Sequence, residues 1–167
     1  GEGYELTPMK DLSQPGQYAC KEVLTIIGPS MRPIENVRVL GPVRKSSQVE
    51  ISATDSYVLK VKPPVRESGD IKGSGTIKLV GPAGEVELTE GAIAAKRHIH
   101  LTPDVAADFG VEDKQIVSVK VETDGRSLIF CDVICRVNPT YAPAMHIDTD
   151  EANAAAMKGV VEGEIIL

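Results

Sequence analysis

Short alternating and β-branched runs organise this chain. Residues 23–27, 37–40, 49–51, 76–80, 116–121, 127–130 and 133–137 each read as a strand, bounded by Gly, Pro, Asn or Asp. Helical signals are few. Thr102-Pro103-Asp104, followed by Val105-Ala106-Ala107-Asp108-Phe109 and Gly110, has an N-cap, a proline in the first turn and a glycine stop. The Ala-rich stretch from Asp150 to Met157 predicts a second short helix, and residues 10–14 a turn of helix or a loop. The pattern predicts a mainly β fold capped by short helices.

Residues 63–75, PPVRESGDIKGSG, combine proline, glycine and charge and read as a linker or long functional loop. A boundary there divides the chain into residues 1–70 and 71–167, with strand exchange between the halves allowed. The halves resemble each other. ENVRVLGPVRKSSQVEISATDS at 35–56 and CDVICRVNPTYAPAMHIDTDEA at 131–152 share an Asn or Asp before Val, an apolar-Arg-apolar strand, a Pro turn and a closing strand that ends in Thr-Asp. With small gaps, Val49-Glu50-Ile51 lies over Met145-His146-Ile147, and Thr54-Asp55 over Thr149-Asp150. The expected architecture is two small β-barrel domains related as an internal repeat. By the same comparison Gly1-Glu2-Gly3 resembles the Gly110 helix stop. A first His-x-His is therefore expected about a dozen residues before Gly1, in a segment this chain lacks.

Composition refines this picture. Hydrophobic residues make up 42% of the 167, but aromatics only 4%, with no Trp, so Val, Ile, Leu and Ala must fill the core. Such residues suit the narrow interior of a small barrel. A net charge of −6 argues against general nucleic-acid binding. No apolar run approaches the roughly 20 residues of a membrane-spanning helix, and no signal peptide is visible. Three cysteines, Cys20, Cys131 and Cys135, have no disulfide-framework spacing and read as reduced, buried thiols of an intracellular protein. On a strand Cys131 and Cys135 would face the same side; core packing is preferred to a metal pair.

The chemistry centres on histidine. In Arg97-His98-Ile99-His100-Leu101 an extended backbone points both imidazoles to one face. His146 is the only other histidine. The bland alternative is three unrelated histidines, two exposed and one in the core. A His-x-His plus a single partner at equivalent strand ends favours a shared metal, zinc before iron, cobalt or nickel. Three protein ligands leave an open position, the mark of a catalytic site. Glu50 occupies the place of His146 in the first half. It is either an outward solvated carboxylate or, with an upstream His pair, the third ligand of a second metal. Arg44, a solvated turn residue on its own, is suited beside a metal to bidentate phosphate binding; Arg32 and Arg38 add positive charge nearby in sequence. The Gly-Pro pairs at 28–29, 41–42 and 81–82 read as turns, and no P-loop, dinucleotide fingerprint or nucleophile elbow is present.

LTPMKDLSQPGQY, VRVLGPVRKSSQVEISATDS, PPVRESGD, AAKRHIHLTP and MHIDTDEANAA run from residue 6 to about 156. Together they closely resemble the phosphotransacylases of the propanediol-utilisation type, which interconvert an acyl-CoA and an acyl phosphate. The resemblance implies a pair of β-barrel domains with short helical caps and two zinc ions. It implies that His98, His100 and His146 bind one zinc, and Glu50 the other together with an N-terminal His pair. Arg44 matches the position expected to hold phosphate. Arg38 and Asn153 match positions expected to touch coenzyme A, and Arg32 follows on the same grounds. The family's first RHxHL-type motif does not occur here, in agreement with the internal comparison.

The expected reaction is direct transfer at a zinc centre, interconverting propanoyl-CoA or acetyl-CoA plus phosphate with acyl phosphate plus coenzyme A. Relatives of this type work in the cytoplasm or inside bacterial microcompartments, so the partners expected are acyl-CoA, phosphate and a microcompartment shell; a homodimer is the default assembly. Two other classes compete. A zinc-dependent thioester or phosphoester hydrolase would release product without added phosphate. A non-catalytic metal-binding β module would close its site with a fourth protein ligand.

Overall fold

A computed structural model describes residues 3–167. Gly1 and Glu2, part of the glycine segment likened to a helix stop, lie outside the described residues. The chain divides into two compact units, residues 1–95 and 96–167.

The first unit contains β1 (Pro8–Asp11), β2 (Tyr18–Ile27), β3 (Pro33–Gly41), β4 (Val49–Glu50), α1 (Ala53–Leu59), β5 (Val65–Arg66), β6 (Gly75–Gly81) and β7 (Gly84–Ala95). Its sheet runs β1-β2-β6-β7-β4, with β3 also on β2 and β5 also on β7. Ile26, Val49, Ile51, Leu59, Val61, Ile77 and Ala92 form the core. As the composition requires, no aromatic side chain is among them.

Residues 63–75 do not separate the units. Val65-Arg66 pairs in parallel with Ala94-Ala95. Arg66 then fastens the following loop, donating to Asp70 Oδ1 at 3.2 Å and to the Lys72 carbonyl at 2.6 Å. Proline, glycine and charge here shape a clasped loop, and β6 and β7, expected in the second half, join β2 in the first sheet.

The second unit contains β8 (His98–Leu101), α2 (Pro103–Phe109), β9 (Ile116–Val121), β10 (Leu128–Val137), β11 (Ala144–His146), α3 (Thr149–Ala154) and β12 (Gly163–Ile166). Its sheet is an open path, β11-β8-β10-β9-β12. Ile99, Leu101, Val117, Val119, Val121, Phe130, Val133 and Cys135 pack its core. The helix read from Thr102 to Gly110 forms as expected: Pro103 opens it, and Gly110, with φ of 67°, closes it by donating to the Ala106 and Ala107 carbonyls. That φ favours a residue without Cβ.

The runs at 127–130 and 133–137 join into the single strand β10. A bulge between Phe130 and Val133, with Asp132 at φ 56°, shifts the side-chain phase. This corrects the expectation for the cysteines. Cys135 is buried, whereas Cys131 is exposed, because the extra residue turns the two to different environments.

One piece of the internal comparison has a local counterpart. Glu50 stands two residues before the N-cap of α1, Ser52, and His146 two residues before the N-cap of α3, Asp148; both caps form reciprocal capping boxes, with Asp55 and Glu151. The pairing differs, since β4 runs parallel to β7 and β11 antiparallel to β8.

Candidate metal centre

The centre is built on β8, which lies between β10 and β11. Extended backbone puts His98 and His100 on one face of β8. The antiparallel register pairs His146 with His98, so the third imidazole joins that face from the neighbouring strand. The rings of His98 and His146 stack with centroids 4.9 Å apart. His100 is tilted against both, at 4.7 Å from His98 and 4.6 Å from His146. One ring nitrogen from each converges so that all three lie within 4.8 Å of one another.

Burial decides what such a cluster can be. His98 is 8% exposed and His100 6%. The Lys96 carbonyl lies 2.9 Å from His98 Nδ1. A carbonyl only accepts, so Nδ1 carries the proton and Nε2 the lone pair. Neither ring nitrogen of His100, nor Nε2 of His146, has a hydrogen-bond partner within the protein. Leaving buried nitrogens unsatisfied costs about 1–3 kcal/mol each, which converging lone pairs on a shared cation avoid.

The protonation states agree with that use. Burial first, then His146, His98 and Arg136, pushes His100 down to about 3. Burial first, then His98 and Arg136, pushes His146 down to about 4. Both imidazoles are therefore neutral near pH 7, the form that ligates a metal. Three imidazole nitrogen donors fit zinc. Among the described residues the group contains these three ligands and no fourth, which favours an open site over a closed structural one.

Two neighbours escaped the sequence reading. Arg136 is the parallel register partner of His100 on β10, and its charge contributes to the depression of both histidines. Tyr141 packs its ring on His100 with centroids 4.2 Å apart, and the Arg136 guanidinium lies 6.0 Å from the same ring centre. Neither has a local signal; strand pairing reveals Arg136 and the packing of the loop after β10 reveals Tyr141.

Of the other predicted residues, Asn153 is exposed on α3. Glu50, Arg44, Arg38 and Arg32 belong to the first unit and are exposed. Glu50 Oε1 accepts from Gln48 Nε2 at 2.7 Å; Gln48 also donates to Ser68 Oγ at 2.8 Å and accepts from the Gly69 amide at 2.7 Å. Arg44 Nη2 is 3.5 Å from Gln17 Oε1. Arg38 Nη1 donates to the Cys20 and Lys21 carbonyls at 3.0 and 2.9 Å, a use that braces β2. The Arg32 amide donates to Ser30 Oγ at 3.1 Å. Among the described residues no second group of three donors gathers around Glu50, so these residues alone do not fit a second ion. No helix among them is long and apolar enough to cross a membrane.

Comparison with known proteins adds an independent finding. A family model described as phosphate propanoyltransferase matches residues 1–158. A phosphate propanoyltransferase of Thermotoga maritima is 59% identical over 157 residues, covering 94% of this chain and 74% of the relative. One from Listeria monocytogenes is 54% identical over 166 residues, covering 99% and 77%. One from Salmonella typhimurium is 49% identical over 153 residues, covering 92% and 72%.

Proposed function

The chain belongs to the phosphate propanoyltransferase family, and on that premise we propose that it moves an acyl group directly between coenzyme A and phosphate at a zinc centre held by His98, His100 and His146. It is an acyltransferase that works on acyl-CoA and phosphate. The observation that carries the metal reading is the convergence of three ring nitrogens within 4.8 Å, with both nitrogens of His100 and Nε2 of His146 unsatisfied within the protein.

A zinc ion bound there supplies Lewis-acid charge and, with three protein ligands, an open position. The protein's part is to hold the His100 and His146 imidazoles neutral and to add the Arg136 cation beside them. A guanidinium presents paired donors to phosphate oxygens and stays charged throughout. Arg136 thereby holds phosphate for attack. A phosphate oxygen forms a bond to the thioester carbonyl carbon, the carbon–sulfur bond breaks, and coenzyme A leaves as thiolate. No acyl-enzyme is invoked: Cys20 and Cys135 are fully buried, burial pushes both thiols above their ordinary 9.0, and the exposed Cys131 is not part of the histidine group. By family resemblance Arg44 also contacts phosphate, while Arg38, Arg32 and Asn153 contact coenzyme A. No step is drawn through a second ion at Glu50.

The test mixes propanoyl-CoA with phosphate and follows thiol release. Release should require phosphate, stop on chelation and return with zinc. Arg136→Ala should raise the phosphate KM about 10–100-fold, the equivalent of one lost charged hydrogen bond. Release without phosphate would indicate a hydrolase. Transfer that survives complete metal removal overturns the zinc reading.

A further inference from the structure

The three histidines are not held alike. A metal-binding imidazole is ordinarily aimed by a hydrogen bond from its second nitrogen. His98 has that support in the Lys96 carbonyl. His100, the most buried of the described histidines, has none: both ring nitrogens lack a partner, so only one can be completed by a metal. What lies against this imidazole is the ring of Tyr141, 4.2 Å between centroids at an interplanar angle of 38°.

We propose that Tyr141 is a positioning residue for the metal centre, its aromatic face setting the angle of His100 in place of the missing hydrogen bond. The reading rests on the zinc site proposed above. Imidazole rotation about its last bond is a broad, soft torsion, so packing alone can select the angle. An aryl face within van der Waals distance leaves the ring a narrow range, and offset aromatic pairs are themselves favourable. The loop that carries Tyr141 is anchored. Its amide donates to the Asn138 carbonyl at 3.1 Å, and Asn138 Oδ1 accepts from the Thr140 amide and hydroxyl at 2.9 and 2.8 Å. The Asn138 amide in turn donates to the Leu101 carbonyl at 3.0 Å, one residue beyond His100. The platform and the ligand it aims thus share one hydrogen-bonded frame. The same ring lies under the Arg136 guanidinium at 6.0 Å, so the residue that aims His100 also limits where that cation can go.

The hydroxyl plays no part in this argument, which separates Tyr141→Phe from Tyr141→Leu. Both are made in the full chain and compared with the unsubstituted protein. Zinc affinity is read by competition with a chromogenic chelator, and ligand geometry by the visible absorption of the cobalt(II)-loaded protein. Thermal melting in chelator checks that each variant folds. Tyr141→Phe should keep affinity within about twofold and leave the cobalt bands in place. Tyr141→Leu should weaken zinc about 10–100-fold, the usual effect of losing an outer-sphere partner, and shift or broaden the bands at unchanged metal-free melting. Equal affinity and unchanged bands in Tyr141→Leu overturn the assignment, as does a Tyr141→Phe that behaves like Tyr141→Leu. Should Tyr141→Leu not fold, Tyr141→Phe is compared with Tyr141→Val, neither of which adds a metal donor; equal cobalt bands in those two overturn it. An unsubstituted protein that takes up neither zinc nor cobalt overturns the metal site itself, a result distinct from both variants binding alike.

Discussion

Arg97 Nε lies 2.8 Å from Glu151 Oε1, and this ion pair fastens the strand that begins at His98 to the helix that follows His146. Both partners are mostly buried, and the Arg97 guanidinium also lies 5.6 Å from the centre of the Phe130 ring. Glu151 has a second task, since its Oε2 accepts from the Asp148 amide at 2.8 Å in the capping box. Glu151→Ala removes both interactions at once. It should destabilise the protein by about 1–3 kcal/mol and loosen His146. Denaturation and a zinc titration check the two halves of this expectation, and full zinc affinity alongside lower stability would separate the clamp from the site.

Removing a ligand outright should look different. His146→Ala should weaken zinc by more than the ~100-fold typical of outer-sphere losses, and transfer should fall in step. Metal-free stability should hold, because the substitution deletes a buried nitrogen that has no partner in the protein. Equilibrium dialysis, transfer assays and melting in chelator measure all three.

Glu22 predicts a pH dependence of stability in the first unit. Hydrogen bonding from Thr7, then from backbone and Tyr4, pulls its carboxyl from 4.5 down to about 2. The Thr7 amide is 3.0 and 3.2 Å from the two oxygens, and Tyr4 Oη donates at 2.9 Å. A carboxylate more acidic in the folded state contributes stability that is complete above its unfolded value and lost as pH falls through the folded one. Stability should therefore decline as pH drops from 4.5 towards 2. Glu22→Gln should reduce that slope while changing little near pH 7. Denaturant midpoints across the range test it, and identical slopes in the two proteins would count against it.

Gly28 tests the core of the first unit. A Cβ there would collide with the Leu59 carbonyl oxygen and come within 2.9 Å of Leu59 Cβ and Val61 Cγ2. Leu59 is fully buried, and its carbonyl already accepts from the Ser30 amide at 3.1 Å. Gly28→Ala should cost about 1–3 kcal/mol through overpacking, read as a lower denaturant midpoint, without altering zinc stoichiometry.

The histidine cluster was legible because two of its members stand two residues apart on one strand and the chain has a single third histidine. The helix at Thr102–Gly110 was legible because its start and stop signals are local. β7 did not stand out: Val86 and Leu88 alternate with Glu85 and Glu87 over only a few residues, and the second half is largely Gly and Ala around the buried Ile93. α1 was missed because Val49–Ile51 reads on as strand, although Ser52 and Asp55 already spell a capping box. Arg136 and Tyr141 could not be read at all. Their relation to His100 arises from strands and loops brought together across 36 and 41 residues, respectively. Residues 63–75 have the composition of a linker, yet Arg66 clasps them as a loop within the first unit.

The register that pairs His146 with His98 has a further consequence. Strand β11 is three residues long and sits at the edge of its sheet, with little of its own to fix its alignment. Sliding by one residue would exchange His146 for a residue of the opposite face. Only the native alignment presents three nitrogens to one ion, so a bound ion stabilises that alignment against its neighbours. The metal would thus proofread the register, holding β11 in the one alignment that brings the three histidines together.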